Sequence, residues 1–403
     1  MKVALVHELL TMRGGAEKML KILSEMFPEA PIYTLLYDEA KLGDWFARER
    51  VRPSVLQPSR SSQLITRSFA FNHHFYLRKF PRAVEAWPFD GSWFDYAHHD
   101  KLTMTRESFD LVISSSSAFT HGIITNGHPK HLCYVHSPAR YLWDRTHDVL
   151  KRSSKGLLGP LRRAYLERTF HKLRVWDTEA ADRPDMLLAA SKEVQRRIEL
   201  YWRRESEVVY PPIEDCWSEQ RPATSEEHST RYPLPATRYF LVVSTLVPYK
   251  RIDLAIEACN QIHVPLLIIG EGPDRRRLEK LAGPTVTFLG YQSEEEVRCA
   301  YAGATATLFP GDEDFGLVPL ESMACGTPVI AFKSGGALET VIEGQTGTFF
   351  EHQTPENLAE KIRQFDHKNY SSEKCREQAN KFSRLQFEQK IYSAVERVMN
   401  LPS

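Results

Sequence analysis

Cysteine is scarce and dispersed in this 403-residue chain, with six thiols at positions 133, 216, 259, 299, 325 and 375 and neither a C-x-x-C pair nor a zinc spacing. That dispersal excludes a disulfide-stapled or zinc-finger scaffold and predicts reduced thiols in a cytosolic protein. Long apolar runs are missing too: no stretch approaches the roughly 18 residues needed to cross a bilayer. The opening MKVALVHELL is a short run interrupted by His7 and Glu8, so it reads as a buried first strand rather than a signal peptide. An excess of charge of one sign is also lacking. The 52 Lys and Arg balance 52 Asp and Glu, which argues against a dedicated nucleic-acid binder.

What the chain does have is apolar material for large cores. It is 42% hydrophobic with ample aromatics, and its length predicts two domains of roughly 200 residues. In the first half, apolar runs fall at VALVH (3–7), IYTLL (32–36), LVISSSS (111–117), HLCYVHS (131–137) and DMLLAAS (185–191). A turn at Gly14-Gly15 leads into a helical pattern over 16–27, and 50–110 is aromatic-rich without a clear period. The polar, Ser/Thr/Pro-rich stretch 214–236 reads as a linker. Six βα units then follow, at YFLVVST (239–245), PLLIIG (265–270), VTFLG (286–290), ATLFPG (306–311), PVIAF (328–332) and GTFFE (347–351). Such alternation predicts an α/β protein of two doubly wound, Rossmann-like domains, 1–213 and 237–385, facing a central cleft. The amphipathic helix over 386–403 is expected to pack back on the first domain. Beyond the βα alternation no internal repeat is visible.

The stretch EDFGLVPLE (313–321) sets two carboxylates around a Phe-Gly pair at the start of a helix. Pro319 is tolerated only in a first turn, so the helix is expected to begin near Leu317. The N–H groups of Phe315, Gly316 and Leu317 would then surround a helix N-terminus, which suits phosphate. Glu321, about one turn in, would lean back toward the bound group. Carboxylates only accept hydrogen bonds, so beside a phosphate they suit hydroxyls, as in a sugar nucleotide. Alternatively, Glu313 and Glu321 merely complement the helix dipole.

The stretch 313–347 resembles the donor-binding signature of retaining glycosyltransferases of family 4, which have the GT-B fold. The likeness continues in GGAEKML (14–20), CYVHSPARYLWD (133–144), VVYPPI (208–213), VPYKRIDLAIEA (247–258) and IIGEGPDRRRL (268–278). It is strongest to the branch that adds mannose or related hexoses in bacterial polysaccharide and O-antigen synthesis. The resemblance implies that Glu313 contacts the donor sugar and Glu321 the ribose. It gives Phe315, Gly316, Leu317 and Val318 to sugar and phosphate, Lys250 to the diphosphate, and Gly14 and Gly15 to a loop over that diphosphate. His136 would reach sugar and acceptor. Gly270 and Leu289 would line the donor site, and Arg140, Tyr141 and Trp143 the acceptor side. Where the family usually has an arginine, this chain has Thr245, and Arg251 is the residue placed to compensate.

The implied reaction moves a hexose from a UDP-hexose or GDP-mannose to a saccharide or lipid-linked saccharide, with retention by same-face attack and without metal or other cofactor. The UDP-hexose is the more widespread donor. Rival readings are an epimerase or phosphorylase of the same fold, or a non-catalytic sugar-nucleotide binder marked by Thr245.

Other motifs are weaker. GDED (311–314) has the D-x-D spacing that other transferases use for Mn²⁺ or Mg²⁺, but Asp312 and Asp314 also suit a turn. The pairs His73-His74 and His98-His99 are not in ligand spacing. GEGPDR (270–275) lacks the third glycine of a dinucleotide fingerprint, and Pro273 suits a first helical turn. SGGALE (334–339) is either a second helix mouth at the donor or a plain turn. Residues 151–174 carry eight Lys or Arg and one acid, interleaved with Leu157, Leu158, Leu161, Tyr165 and Phe170. That stretch suits either an anionic lipid surface, which would make the enzyme peripheral on the inner face of the cell membrane, or a packed basic helix.

Overall fold

The polar half of a fully buried strand marks where the first sheet does its work. The fourth strand, LVISSS at Leu111–Ser116, has every residue buried, apolar at its start and hydroxyl-bearing at its carboxyl end. The computed structural model describes residues 1–58, 76–87, 89, 108–154, 156, 158–214, 217 and 238–402. It divides into one unit of Met1–Val209 with Glu388–Ser403 and another of Tyr210–Phe387. The histidine pairs at 73–74 and 98–99 and most of the expected linker lie outside the described residues.

The first unit is built on β1 (Val3–Leu10), β2 (Ile32–Tyr37), β3 (Val51–Pro53), β4 (Leu111–Ser116), β5 (Lys130–Val135), β6 (Met186–Ala189) and β7 (Glu207–Val208). Their order is β3-β2-β1-β4-β5-β6-β7, all parallel. Periodicity did not reveal β3 and β7, because three and two residues are too few to show a period. The order reverses between β1 and β4, and in a doubly wound sheet ligands bind beyond the carboxyl ends of the strands at that switch point. Gly14 and Gly15 follow β1, and His136 follows β5.

Many polar groups of this interior are paired. Ser114 Oγ lies 2.7 Å from His131 Nε2. The carboxylate of Glu8 accepts from the backbone N–H groups of Ser117 at 2.8 Å, Ala118 at 2.5 Å and Phe119 at 2.6 Å, which shapes the turn after β4. Deeper in, Asp177 of the helix Gly159–Ala180 accepts from the indole N–H of Trp202 at 2.7 Å and of Trp143 at 2.9 Å. Burial raises the Asp177 carboxyl to about 7 against those two donors, and burial lowers the neighbouring His121 to about 3.

The second unit contains β8 (Phe240–Val243), β9 (Leu266–Ile269), β10 (Val286–Gly290), β11 (Ala306–Phe309), β12 (Val329–Phe332) and β13 (Gly347–Phe350). The order is β10-β9-β8-β11-β12-β13, again all parallel. Leu241, Leu267, Ile269 and Val329 belong to one buried cluster, and Phe240, Val242, Leu266, Ile268 and Ile330 to another. Successive residues thus enter cores on opposite faces, which is why these strands read as unbroken apolar runs. The helix after β9 begins at Arg275 with Asp274 as its N-cap, so Pro273 lies in the preceding turn rather than in the first helical turn. Asp274 N–H donates to Leu246 O at 3.0 Å, which holds that turn against the loop after β8.

Among the described residues, no helix is long and apolar enough to cross a membrane. The basic stretch 151–174 divides between the helices Thr146–Ser153 and Gly159–Ala180. Leu158, Leu161 and Tyr165 are exposed, whereas Phe170 is buried in the core and leaves the interleaved set. Leu157 lies outside the described residues.

Asp177 yields a test with a definite sign. Its carboxyl holds a proton in the folded state up to about pH 7, against 3.8 unfolded. The destabilisation therefore grows as pH rises between those values and is complete above them. Asp177→Asn should gain stability relative to the wild type across that window, by on the order of 2–4 kcal/mol in total. Urea unfolding at pH 4.5, 6 and 8 measures it, and a pH-independent difference would contradict the assignment.

Candidate functional site

The second sheet reverses between β8 and β11, and the loops after these two strands meet. The first carries Thr245, exposed, and a 3-10 turn Pro248–Lys250. The second carries Glu313. Lys250 Nζ lies 2.5 Å from Glu313 Oε2, and both side chains are mostly buried. At that distance the pair is a charge-assisted hydrogen bond.

Gly316 ends the second loop at φ 80°, and a Cβ there would lie 2.6 Å from the Phe309 ring. Only glycine combines that backbone with that contact. The helix Leu317–Ala324 starts directly after it, at the residue the sequence predicts, and no side chain caps it. Val318 falls in its first turn. Phe315 is 5% exposed and stacks on Tyr210 at 5.5 Å, so its side chain is part of the core. Glu321 Oε2 accepts from the Tyr301 hydroxyl at 3.2 Å. Burial, together with the Glu321 charge, raises the Tyr301 phenol well above its ordinary value and keeps it a donor. Tyr301 was not legible in advance, because a tyrosine among apolar residues looks like core.

SGGALE packs against this loop. Gly336 N–H donates to Glu313 O at 2.9 Å, and Ser334 Oγ donates to Asp312 Oδ1 at 2.9 Å. Gly270, at φ 129°, brings the loop after β9 onto Ser244 O, where a Cβ would sit 1.9 Å away. Leu289 is half-buried near the end of β10. Arg251 is turned toward Asp253, Nε to Oδ1 3.4 Å, rather than standing in for the cation that Thr245 cannot supply. No group of three or more His, Cys, Asp or Glu among the described residues is placed to hold a metal ion.

In the first unit, Gly14 is the extended N-cap of the helix Gly15–Met26. His136 N–H donates to Ser116 O at 2.8 Å, and its Nε2 lies 2.8 Å from Ser115 Oγ. Burial, aided by nearby His7, lowers the His136 imidazole to about 3, so it is neutral. Arg140 pairs with Asp144 at 3.2 Å. Trp143 stacks on Tyr201 at 4.8 Å and gives its N–H to Asp177. The Tyr141 hydroxyl is buried without a hydrogen-bond partner among the described residues. The polar atoms of Tyr141 and Trp143 are therefore turned to the interior, and Arg140 is tied to its own loop.

Residues 225–382, within the second unit, match the family described as Glycosyl transferases group 1. The fold is GT-B, two Rossmann-like parallel-sheet α/β domains, as in HepE of Anabaena solved with UDP. That structure has TM-score 0.67 and 15% identity, and the match covers 98% of this chain and 100% of that one. Sucrose-phosphate synthase of Thermosynechococcus elongatus gives TM-score 0.67 at 17% identity, covering 98% and 99% of the two chains.

Among curated relatives, an uncharacterised glycosyltransferase of Methanocaldococcus jannaschii is 35% identical over 30% of this chain and 36% of its own length. The GDP-mannose-dependent alpha-(1-6)-phosphatidylinositol monomannoside mannosyltransferase of Mycolicibacterium smegmatis is 36% identical over 29% of this chain and 36% of its length. The matched segment thus spans little more than a third of these relatives.

The loop packing predicts one stability effect. At Gly336 a Cβ would lie 2.2 Å from Phe315 Cα. Gly336→Ala should therefore cost about 1–3 kcal/mol, read as a lower urea midpoint. An unchanged midpoint would show that the loops separate freely.

Proposed function

We propose that the chain is a retaining mannosyltransferase that moves mannose from GDP-mannose to a hydroxyl of a saccharide or lipid-linked saccharide in bacterial polysaccharide biosynthesis. The observation that carries this reading is the Lys250–Glu313 pair beside the uncapped N-terminus of the helix Leu317–Ala324. A cation, a helix N-terminus and a carboxylate together suit a diphosphate flanked by hydroxyls. The names of the mycobacterial relatives, which specify GDP-mannose, favour this donor over a UDP-hexose.

In the transfer, negative charge grows on the departing diphosphate and positive charge on the sugar ring. Lys250 and the helix amides stabilise the first. Glu313 accepts hydroxyls of the sugar, and Glu321, steadied by Tyr301, accepts those of the ribose. His136 of the first unit is neutral. The acceptor hydroxyl attacks from the face the diphosphate leaves, and the leaving phosphate takes its proton. No side chain forms a bond to the sugar, and no metal is required. Exposed Leu158, Leu161 and Tyr165, among exposed Arg162, Arg163 and Arg168, suit contact with anionic lipid where a lipid-linked acceptor resides.

A thermal-shift panel of GDP, UDP and their sugars, followed by nucleotide release with and without acceptor saccharide, tests the reading. GDP-mannose should stabilise the protein most, and release should require acceptor. Binding without turnover would instead mark a non-catalytic binder. Glu321→Ala should abolish the nucleotide-dependent shift while Asp312→Ala leaves most of it, and equal losses would count against the roles assigned. Turnover should persist in excess EDTA; its loss there would restore a metal to the GDED segment.

A further inference from the structure

Three buried polar residues of the first unit have no part in the chemistry above: His7, Glu17 and Ser115. The β1–β4 register sets His7 opposite Ser115. Ser115 Oγ then lies 3.0 Å from His7 Nδ1 and 2.8 Å from His136 Nε2, so one hydroxyl bridges two imidazoles. On the far side, His7 Nε2 faces Glu17 Oε1 at 3.7 Å. Glu17 sits in the first turn of the helix Gly15–Met26. Its other oxygen lies where a side chain at Gly14 would be, 2.7 Å from a Cβ built there. The absence of a side chain at Gly14 therefore makes room for the carboxylate.

A hydroxyl has one proton, so Ser115 donates to one imidazole and accepts from the other. The charge of Glu17, 3.7 Å from His7 Nε2, biases the choice. A carboxylate only accepts, and facing Nε2 it favours the His7 tautomer with hydrogen on that nitrogen. His7 Nδ1 is then bare and takes the Ser115 proton. The Ser115 oxygen must accept from His136 Nε2–H, and this leaves a lone pair on His136 Nδ1, which has no partner among the described residues.

We infer that Glu17, acting through His7 and Ser115, fixes His136 in the Nε2–H tautomer so that its Nδ1 presents a hydrogen-bond acceptor to a hydroxyl of the acceptor saccharide. Glu17, His7 and Ser115 are positioning residues, and their catalytic consequence rests on the transferase reading. Without the relay both tautomers populate, and the Nδ1–H form makes the hydroxyl an acceptor instead of a donor.

Nitrogen NMR of the full chain labelled with ¹⁵N-histidine tests this, with His7 and His136 assigned by His7→Gln and His136→Gln. In the wild type at neutral pH both rings should carry hydrogen on Nε2. Ser115→Ala and Glu17→Ala should each turn His136 into a tautomer mixture, with Ser115→Thr restoring the single form. Hydrogen on His136 Nδ1 in the wild type, or an unchanged tautomer in both alanine variants, would overturn the inference. With GDP-mannose and acceptor, Ser115→Ala should lower kcat about 10-fold, with KM for the donor within about twofold because donor contacts are untouched. Normal kcat with a mixed tautomer would remove the catalytic consequence. A wild type with the stated tautomers but no transfer would refute the transferase reading and leave the relay standing.

Discussion

A lysine and a glutamate in mostly buried contact, Lys250 and Glu313, tie together the two loops at the reversal of the second sheet. Each charge has left much of its water, and neither is stable there alone. Their meeting requires the chain to come unusually close to itself. Gly311 lies 3.1 Å in Cβ terms from Lys250 Cα, and Gly336 lies under the backbone of Phe315. Gly316 then turns the chain sharply, so the helix begins bare beside the charges. The glycines, the uncapped helix and the ion pair form one arrangement, and loss of any part loosens the others.

The strands of the second unit were legible because parallel strands buried on both faces are unbroken apolar runs, and β8, β9 and β11 each showed one. The start at Leu317 was legible because Gly316 and Pro319 restrict where a helix can begin. The pairings of the site were not. Nothing in the order of residues tells that Tyr301 reaches Glu321, since that contact joins a helix and another helix across a layer. Arg251 likewise looks like a free cation in sequence, and only folding turns it to Asp253. Trp143, assigned to the acceptor side by resemblance, is found to give its N–H to Asp177.

The two sheets share a strand order and differ in what they bury. The second has apolar cores on both faces, whereas the first threads serines, histidines, Glu8 and Asp177 through its interior. Such groups are costly to bury unpaired, and most of the serines and histidines here find a partner. The run SSSS at the end of β4 was the sign of this in the sequence. Consecutive hydroxyls in an otherwise apolar strand have to meet acceptors, and they meet His131, His7, His136 and Glu8.

On the transferase reading, Thr245 and the orientation of Arg251 bear on the release of spent nucleotide. With Arg251 held by Asp253, Lys250 is the cation in contact with Glu313 at the loops. A pocket that grips a spent nucleotide with one ammonium lets it go sooner than one that grips with two. On the transferase reading, the missing arginine weakens hold on the donor and in return shortens the dwell of the by-product. Inhibition by accumulated nucleoside diphosphate would then be slight, and throughput would follow supply of the activated sugar rather than clearance of the site.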